Sequence, residues 1–324
     1  MTKSNLSIKG KEAKKRPVRA LVLFSGGLDS ILAVKILERQ GIEAIALTFV
    51  SYFFDAEQAK RSVRENKIRS KIVDFSDEHL KIIKNPLFGR GVGMNPCIDC
   101  HLLMLKVAKK IAVRENFDII ATGEVLGQRP MSQNSRALEL IEKKAGLAAK
   151  ILRPLSAKVL PETEMEKSGM VDRAKLLGIS GRSRKVQMEL AKSIKIKYYP
   201  TPAGGCILTD KEYSKKLCEL LENIKKPKPS DLELLRVGRH FWIGESLPAG
   251  RQARIVLGRN HEENLTLKKI AEKKDILIEP RDIPGPTALL RGKESKNAFD
   301  HVRALLLNYT KNAGDDLQIK ITKK

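Results

Sequence analysis

A short glycine-rich segment near the start of the chain has the residue types that bind phosphate. Ser25-Gly26-Gly27-Leu28-Asp29-Ser30 follows an apolar β-type run, Ala20–Phe24, and precedes a helical pattern. Backbone amides at a strand-to-helix turn and the positive end of the helix dipole both attract an anion. The glycines allow close backbone approach, Ser25 and Ser30 offer hydroxyl donors, and Asp29 can position Mg²⁺. Because no Lys follows, this is not a Walker A loop. A tight turn without a ligand is the alternative.

Three cysteines lie in segments where thiols can do sulfur or metal chemistry. Cys97 and Cys100 form a CxxC in Asn95-Pro96-Cys97-Ile98-Asp99-Cys100-His101, ahead of a predicted helix, and Cys206 follows the turn Ala203-Gly204-Gly205. Three sulfur ligands suit a [4Fe-4S] cluster with one open iron, and they also suit a nucleophile with a persulfide carrier. A structural zinc site completed by His101, a CxxCH haem attachment site and ordinary buried thiols are the alternatives.

The remaining cysteine and the apolar pattern bear on the core and the compartment. Cys218 lies in a helical pattern with Leu217, Leu220 and Leu221, which predicts a buried thiol. Four cysteines in 324 residues do not form a disulfide scaffold, so thiols or metal ligands in a reducing compartment are expected. Without a secretory signal or a long apolar run, the sequence predicts a cytoplasmic protein with no membrane span.

Strands and helices alternate through the first half of the chain. Strand patterns cover residues 43–50, 70–75, 117–122 and 150–152, with helical patterns at 31–40, 56–66 and 102–115. This alternation predicts an α/β fold with a doubly wound parallel sheet. The phosphate loop then lies at the carboxyl end of the first strand.

Charge and turn residues divide the chain into four parts. A basic tail at 1–17 precedes the sheet domain at 18–165, and a basic helical extension with the third cysteine covers 166–229. The Lys-Pro-Lys-Pro run at 226–229 is a predicted linker, and a small α+β module with a hairpin and an insertion loop at 245–252 occupies 237–324. With 62 Lys and Arg against 38 Asp and Glu, the net charge of +24 predicts a polyanionic partner.

The phosphate loop resembles the signature of the N-type ATP pyrophosphatases. That resemblance implies the adenine nucleotide alpha hydrolase-like fold, bound ATP and Mg²⁺, and release of pyrophosphate after adenylation of a substrate oxygen. The loop alone leaves the substrate open, because the superfamily also includes amide-forming ligases. Arg153-Pro154-Leu155 matches a segment that recurs in it. The resemblance implies that residues of the second strand near Leu47 to Phe49 flank the adenine.

The cysteine segments select a branch of that superfamily. The run from Asn95 to His101 resembles a segment of tRNA 2-thiouridylases, whose two sulfur-transfer cysteines correspond to Cys100 and Cys206. Because Cys97 is also present, the set resembles the cluster-dependent thiolases. The segment 122–128 is similar to one in 4-thiouridine synthetases, which implies that Thr122 and Gly123 contact the nucleotide or the target uridine.

The C-terminal part resembles the RNA-binding R module of NFACT proteins. A Gly258-Arg259-Asn260 turn precedes a helical pattern, and an Asp282-Ile283-Pro284-Gly285 loop follows a strand pattern. The sequence departs from that module at 278–281, where aromatic and His residues are usual. Cationic and amide side chains are expected to contact phosphates or base edges here, namely Arg259, Asn260, Lys268, Lys269, Lys273, Lys274, Arg281 and Arg291.

Together these features predict ATP-dependent tRNA thiolation. ATP adenylates a uridine carbonyl oxygen, and a sulfur nucleophile from sulfide, a cysteine desulfurase or a sulfur carrier protein displaces AMP. Cys100, Cys206 and Asp29 are the predicted catalytic residues, and Cys97, Cys100 and Cys206 are the predicted cluster ligands. An amidating ligase of the same superfamily and a non-catalytic RNA-binding protein with ATP as regulatory ligand are the alternatives.

Overall fold

A computed structural model describes residues 16–201, 205–244 and 253–324 of the chain, which folds into two compact units. The first unit contains residues 16–49, 56–74 and 100–201, and the second contains 50–55, 75–99, 205–244 and 253–324. In the described part of the chain, no helix combines the length and the apolar character needed to cross a membrane.

The secondary structure follows the chain in this order: β1 Arg19–Leu23, α1 Leu28–Glu38, β2 Glu43–Val50, α2 Glu57–Glu65, β3 Arg69–Asp74, α3 Ser76–Lys84, α4 Cys97–Arg114, β4 Ile119–Thr122, α5 Ser135–Ala145, β5 Ile151–Leu152, α6 Glu164–Lys167, α7 Lys185–Ser193, α8 Lys211–Asn223, α9 Pro229–Leu234, β6 Arg239–Ile243, β7 Ala253–Leu257, α10 His261–Ile270, β8 Ile276–Pro280, β9 Ala288–Arg291, α11 Lys296–Tyr309 and β10 Ile319–Lys323.

The first unit is built on a five-stranded sheet in the order β3-β2-β1-β4-β5. β1 pairs in parallel with β2 and β4, and β4 pairs in parallel with β5. The strands β1, β2, β4 and β5 are rich in Ala, Val, Ile and Leu and largely buried, as expected for a sheet covered on both faces, while the edge strand β3 is polar and exposed. The predicted doubly wound α/β fold is therefore confirmed.

The chain order reverses at β1, since β2 lies on one side of it and β4 on the other. In open α/β sheets, ligands bind outside the carboxyl ends of the strands at such a switch point. The phosphate loop follows β1, and Gly123 follows β4. The fold thus brings two predicted site segments to the same crevice.

The predicted helical extension at 166–229 is divided between the two units. Its first part belongs to the sheet domain, where α7 packs against α1 and Ala191 is buried in the shared core. The part from residue 205 onward belongs to the second unit. The predicted linker is also partly helical, because Pro229 is the first residue of α9 and its preceding Lys228 donates a backbone N–H to Asp231. Proline suits this position, since its missing N–H would have no partner inside the helix.

The second unit contains an antiparallel five-stranded sheet in the order β10-β8-β9-β7-β6. It confirms the predicted hairpin of β6 and β7, while the predicted insertion at 245–252 lies outside the described residues. One hydrophobic cluster in this unit joins distant parts of the chain, because Phe53, Ile83 and Met94 pack with Leu208 and Leu217. Residues 50–55 and 75–99 leave the sheet domain for this reason.

Candidate nucleotide site and sulfur residues

The phosphate loop is held in place by α2. Gly26 has a φ of +81°, and a Cβ at this position would lie 2.6 Å from the Cα of Ala59. The buried hydroxyl of Ser62 donates to the carbonyl of Gly26 across 2.7 Å. Because only glycine fits both the conformation and the space, the loop requires Gly26 as a matter of backbone geometry.

The turn after β4 closes the loop from the other side. A Cβ on Gly123 would lie 2.7 Å from the Cα and the backbone nitrogen of Ser30, so the two segments are in direct contact. Ser30 itself is buried and donates its hydroxyl to the carbonyl of Gly27 at 2.8 Å. The structure therefore brings Thr122 and Gly123 next to the predicted phosphate loop.

Asp29 has one engaged and one open carboxylate oxygen. Its Oδ2 accepts a hydrogen bond from Nε2 of Gln128 at 2.8 Å and lies 3.7 Å from a guanidinium nitrogen of Arg184. Asp29 Oδ1 and Gln128 Oε1 are both buried and have no hydrogen-bond partner among the described residues. Mg²⁺ takes carboxylate and amide oxygens as ligands, so these two open oxygens fit that ion.

The two predicted adenine neighbours on β2 have buried side chains. Leu47 is fully buried, and its carbonyl accepts the N–H of Phe24 at 2.8 Å, directly before the phosphate loop. Phe49 is also buried, and Thr48 between them donates its hydroxyl to the Phe24 carbonyl. These contacts place β2 beside the loop, and the contact of Leu47 and Phe49 with adenine stays a prediction.

A buried charge network lies behind the β4 turn. Glu124 accepts hydrogen bonds from Nδ1 of His101 at 2.9 Å, from Thr122 at 3.0 Å and from Nε of Arg153 at 3.0 Å. Arg153 is also paired with Glu142. Burial acts to raise the pKa of Glu124, but the charge of Arg153 and the hydrogen bonds from His101 and Thr122 outweigh it and hold that pKa at about 2. Glu124 is therefore ionised in the folded protein.

The CxxC lies on a helix and not ahead of one, which corrects the sequence-based expectation. Cys97 is the first residue of α4, and Cys100 lies one turn further along. No helix-breaking residue separates Cys97 from Leu102, so the helix begins at Cys97, directly after Pro96. Asp99 fixes this first turn, because its carboxylate accepts the backbone N–H groups of Leu87 and Phe88 at 2.9 and 3.1 Å.

Cys206 is half-buried and begins a short 3-10 turn, Ile207–Thr209. Next to this turn, the Leu208 carbonyl accepts the N–H of Met94 at 2.9 Å. Gly93 is also close, since a Cβ there would lie 2.6 Å from the same carbonyl. The second unit therefore ties the backbone just before Cys97 to the turn that follows Cys206. Residues 202–204, in the predicted glycine turn, lie outside the described part.

All four cysteines are thiols, and none is in a disulfide. Within residues 16–201, 205–244 and 253–324, no group of three or more His, Cys, Asp or Glu side chains is arranged to hold a metal ion. His101 bonds to Glu124 through Nδ1, which leaves Nε2 as the ring nitrogen for a metal, so this contact does not count against the zinc alternative. The predicted burial of Cys218 is wrong: its side chain is exposed and donates to Glu222 at 3.3 Å. On α8 the buried face is formed by Tyr213, Leu217 and Leu220, and Cys218 projects to the side of it.

The C-terminal module presents most of its predicted cationic residues to solvent. Lys273, Lys274 and Arg281 are exposed. Arg259 is exposed as well but pairs with Glu263, while Asn260 caps α10 by accepting the Glu263 N–H at 2.9 Å. These two residues thus also stabilise the start of the helix.

The placement of Arg291 in the cationic surface is wrong. Its guanidinium points inward and binds Asp231 and Asp275 at 2.8 and 2.7 Å. Burial acts to lower its pKa, yet the hydrogen bonds with the two carboxylates raise that pKa above its ordinary value.

Two polar residues at the nucleotide site are absent from the sequence-based site set: Gln128 and Arg184. Gln128 lies in the segment that resembles 4-thiouridine synthetases, so its motif gave a usable signal. Arg184 lies in Gly181-Arg182-Ser183-Arg184-Lys185, far along the chain from the phosphate loop. The basic run at the start of α7 suggests an anion-binding segment, but no neighbouring residue in the sequence indicates that Arg184 contacts Asp29.

Comparison with known proteins gives two family matches and partial relatives. Residues 238–324 match the model described as NFACT protein RNA binding domain, which confirms the resemblance of the C-terminal module. A "Probable tRNA sulfurtransferase" from Thermoanaerobacter sp. (strain X514) is 30% identical over 167 residues, covering 48% of this chain and 40% of that protein. The protein of the same name from Brevibacillus brevis is 28% identical over 169 residues, covering 48% and 37%.

The chain therefore spans about 40% of the length of the curated relatives it matches. Among solved structures, a crystal structure of a 4-thiouridine synthetase–RNA complex with bound ATP is 23% identical, covers 68% of this chain and 50% of that chain, and has a TM-score of 0.43. Residues 17–197, more than half of the chain, match the family model described as Thiamine biosynthesis protein (ThiI). The chain, with its parallel sheet and its phosphate loop, belongs to the ThiI family.

Proposed function

We propose that this protein thiolates a uridine of tRNA at the expense of ATP. One structural observation carries the proposal: the helix that bears Cys100 is fixed to the nucleotide site within the first unit. His101, which follows Cys100, bonds to Glu124. Gly123, which precedes Glu124, contacts Ser30 of the phosphate loop. These contacts connect the start of α4, where Cys100 lies, to the loop that would bind ATP.

The relatives and the C-terminal module support the choice of substrate. The similar proteins named above are called tRNA sulfurtransferases, and the module at 238–324 matches an RNA-binding domain. A net charge of +24 favours a polyanionic partner. We take tRNA as the substrate and the cytoplasm as the compartment in which it is modified.

The site residues suit adenylation of a uridine oxygen. Backbone amides of residues 25–30 would hold the phosphates, and the uridine carbonyl oxygen would attack the α-phosphorus. The bond between the α-phosphorus and its bridging oxygen breaks, and pyrophosphate leaves with the electron pair. Asp29 and Gln128 would hold Mg²⁺, which supplies positive charge to the phosphates when it is bound. The sulfur nucleophile then attacks the activated ring carbon, and AMP leaves with the former carbonyl oxygen.

We also propose that three cysteines deliver this sulfur. Cys97, Cys100 and Cys206 would hold a [4Fe-4S] cluster, which would supply an open iron for hydrosulfide. The support is chemical and local: thiolates are the ligands that iron-sulfur clusters take, Cys97 and Cys100 lie one helical turn apart, and Met94 is bonded beside the Cys206 turn. The donor would be sulfide, a cysteine desulfurase or a sulfur carrier protein.

Mass spectrometry of tRNA nucleosides tests this function. A strain that lacks the gene should lose one thiouridine species, and expression of the wild-type chain should restore it. Expression of Asp29→Ala should not restore it, because that variant lacks the carboxylate at the phosphate loop. An unchanged thiouridine profile in the deletion strain would contradict thiolation. Loss of an amidated nucleoside instead would favour an amidating ligase.

A further inference from the structure

The phosphate loop lacks a cation of its own. Its residues Ser25 to Ser30 include no Lys or Arg, and Asp29 adds a negative charge. A polyphosphate bound here carries several negative charges, and a departing pyrophosphate gains more. A positive side chain from another part of the first unit would stabilise that charge in addition to the backbone amides and a bound metal ion.

Arg184 lies beside Asp29 of this loop. One nitrogen of its guanidinium is 3.7 Å from Asp29 Oδ2, and its side chain is 29% exposed, so it contacts the loop without being locked in the core. It directly precedes α7, which packs against α1. The helix that carries Arg184 is thus held against the helix that begins at the phosphate loop.

The segment before Arg184 is held by backbone hydrogen bonds and not by chance surface contacts. Ile179 N donates to the Leu155 carbonyl at 2.8 Å, and Gly181 N donates to the Leu126 carbonyl at 2.7 Å. Ser156, which is fully buried, donates to the Ile179 carbonyl and accepts the Leu126 N–H. These bonds connect the Arg184 segment to the same loop that delivers Gln128 to Asp29.

We propose that Arg184 binds the β and γ phosphates of ATP and the departing pyrophosphate, in the role that the loop itself leaves unfilled. Without nucleotide, its guanidinium neutralises Asp29. With nucleotide bound, the planar fork of Arg184 would turn to the phosphates and donate two hydrogen bonds to them. This step moves charge and transfers no proton. This inference deepens the ATP-binding part of the proposed function and rests on that part alone.

Titration calorimetry with the full chain tests the assignment without RNA or sulfur. Mg-ATP, pyrophosphate and AMP are titrated separately into wild type, Arg184→Ala, Arg184→Lys and Arg182→Ala. We expect Arg184→Ala to weaken pyrophosphate and ATP binding at least tenfold and to leave AMP binding unchanged, with Arg184→Lys intermediate. The exposed neighbour Arg182 is the charge-matched control, and its variant should bind like wild type.

Three results would overturn the assignment: wild-type pyrophosphate affinity in Arg184→Ala, an equal loss of AMP affinity, or an equal effect of Arg182→Ala. Thermal unfolding of each variant shows whether the fold is intact, and added guanidinium should restore pyrophosphate binding to Arg184→Ala. Because no uridine is thiolated in these titrations, a failure of the thiolation proposal leaves this result unaffected. Likewise, loss of the phosphate contact would not decide whether the chain transfers sulfur.

Discussion

Arg153 donates from Nε to Oε2 of Glu124 across 3.0 Å in the buried interior of the first unit. Both residues are largely inaccessible to water, and Glu142 provides a second carboxylate for the same guanidinium. A buried ion pair of this kind is costly to break, because the remaining charge stays buried without its partner. The pair also connects Leu152 of β5 to the turn after β4, so it supports the shape of the nucleotide site.

We expect Arg153→Leu to lower the free energy of unfolding by about 3 to 5 kcal/mol at neutral pH. The cause is the pair of carboxylates, Glu124 and Glu142, that would be left without a counter-charge. Urea unfolding followed by circular dichroism measures the change. A loss below about 1 kcal/mol would show that water or another cation already screens these carboxylates.

The same network predicts a pH dependence of stability. The pKa of Glu124 is lowered from its ordinary value of 4.5 to about 2, so its contribution is complete above about pH 4.5 and is lost as the pH falls toward 2. Between pH 6 and 3.5, Glu124→Gln should therefore lose less stability than wild type does. Glu139→Gln, on the exposed face of α5, is the control and should follow the wild-type curve. Equal slopes for wild type and Glu124→Gln would contradict the ionised, buried state of Glu124.

Gly26 and Gly27 form a matched pair for testing the loop geometry. Gly26→Ala should lower the melting temperature and abolish ATP binding, because its Cβ would lie 2.6 Å from the Ala59 backbone at a φ of +81°. Gly27 has a φ of −76°, and the atom nearest to its added Cβ is the Ser25 hydroxyl at 3.4 Å. Gly27→Ala should therefore keep the wild-type melting temperature. Similar thermal unfolding of the two variants would show that α2 does not restrain the loop.

The exposed cations of the C-terminal module should control tRNA binding. Removing residues 237–324 is a poor test, because Leu234 packs into the module and Asp231 binds Arg291. We expect Lys273→Ala, Lys274→Ala and Arg281→Ala each to weaken tRNA binding and to reduce the slope of log affinity against log salt by about 1. Lys311→Ala, an exposed Lys of the same unit, is the control for net charge. If the slope of log affinity against log salt were the same in all four variants, these three residues would not contact the RNA.

The cysteines divide into three that should matter and one that should not. Cys97→Ser, Cys100→Ser and Cys206→Ser should each lower the iron and acid-labile sulfide of anaerobically purified protein and abolish thiouridine formation. Cys218→Ser should retain both, since that thiol is exposed and bonds only to Glu222 in the described contacts. Full thiolation by iron-free protein would eliminate the cluster and leave a persulfide on Cys100 or Cys206 as the sulfur carrier.

Local sequence was enough to place the phosphate loop, because the patterns of a strand, a glycine turn and a helix follow one another within residues 19–43. The fold class followed from the same short-range patterns. Distant packing was not visible in them: Phe53 and Met94 join Leu217 in the second unit through side-chain contacts that no periodicity reveals. The contact between Arg184 and Asp29 is of the same kind, since it depends on how α7 packs against α1.

Surface and buried residues on one helix were separable only with the structure. Cys218 follows Leu217 directly, yet a rotation of about 100° per residue moves it from the buried face to solvent. Arg291 shows the reverse case, because this basic residue at the end of β9 turns inward to bind two carboxylates, Asp231 and Asp275. Composition cannot distinguish these outcomes.

The most direct test of the proposed function is the stoichiometry of a single reaction. Anaerobically purified protein, Mg-ATP, an unmodified tRNA transcript and sulfide are incubated, and AMP, pyrophosphate and thiouridine are measured together. We expect AMP and pyrophosphate to form only when tRNA is present, in equal amounts with thiouridine, and neither to form with Asp29→Ala. Accumulation of ADP, or release of pyrophosphate without any sulfur entering the tRNA, would contradict the account.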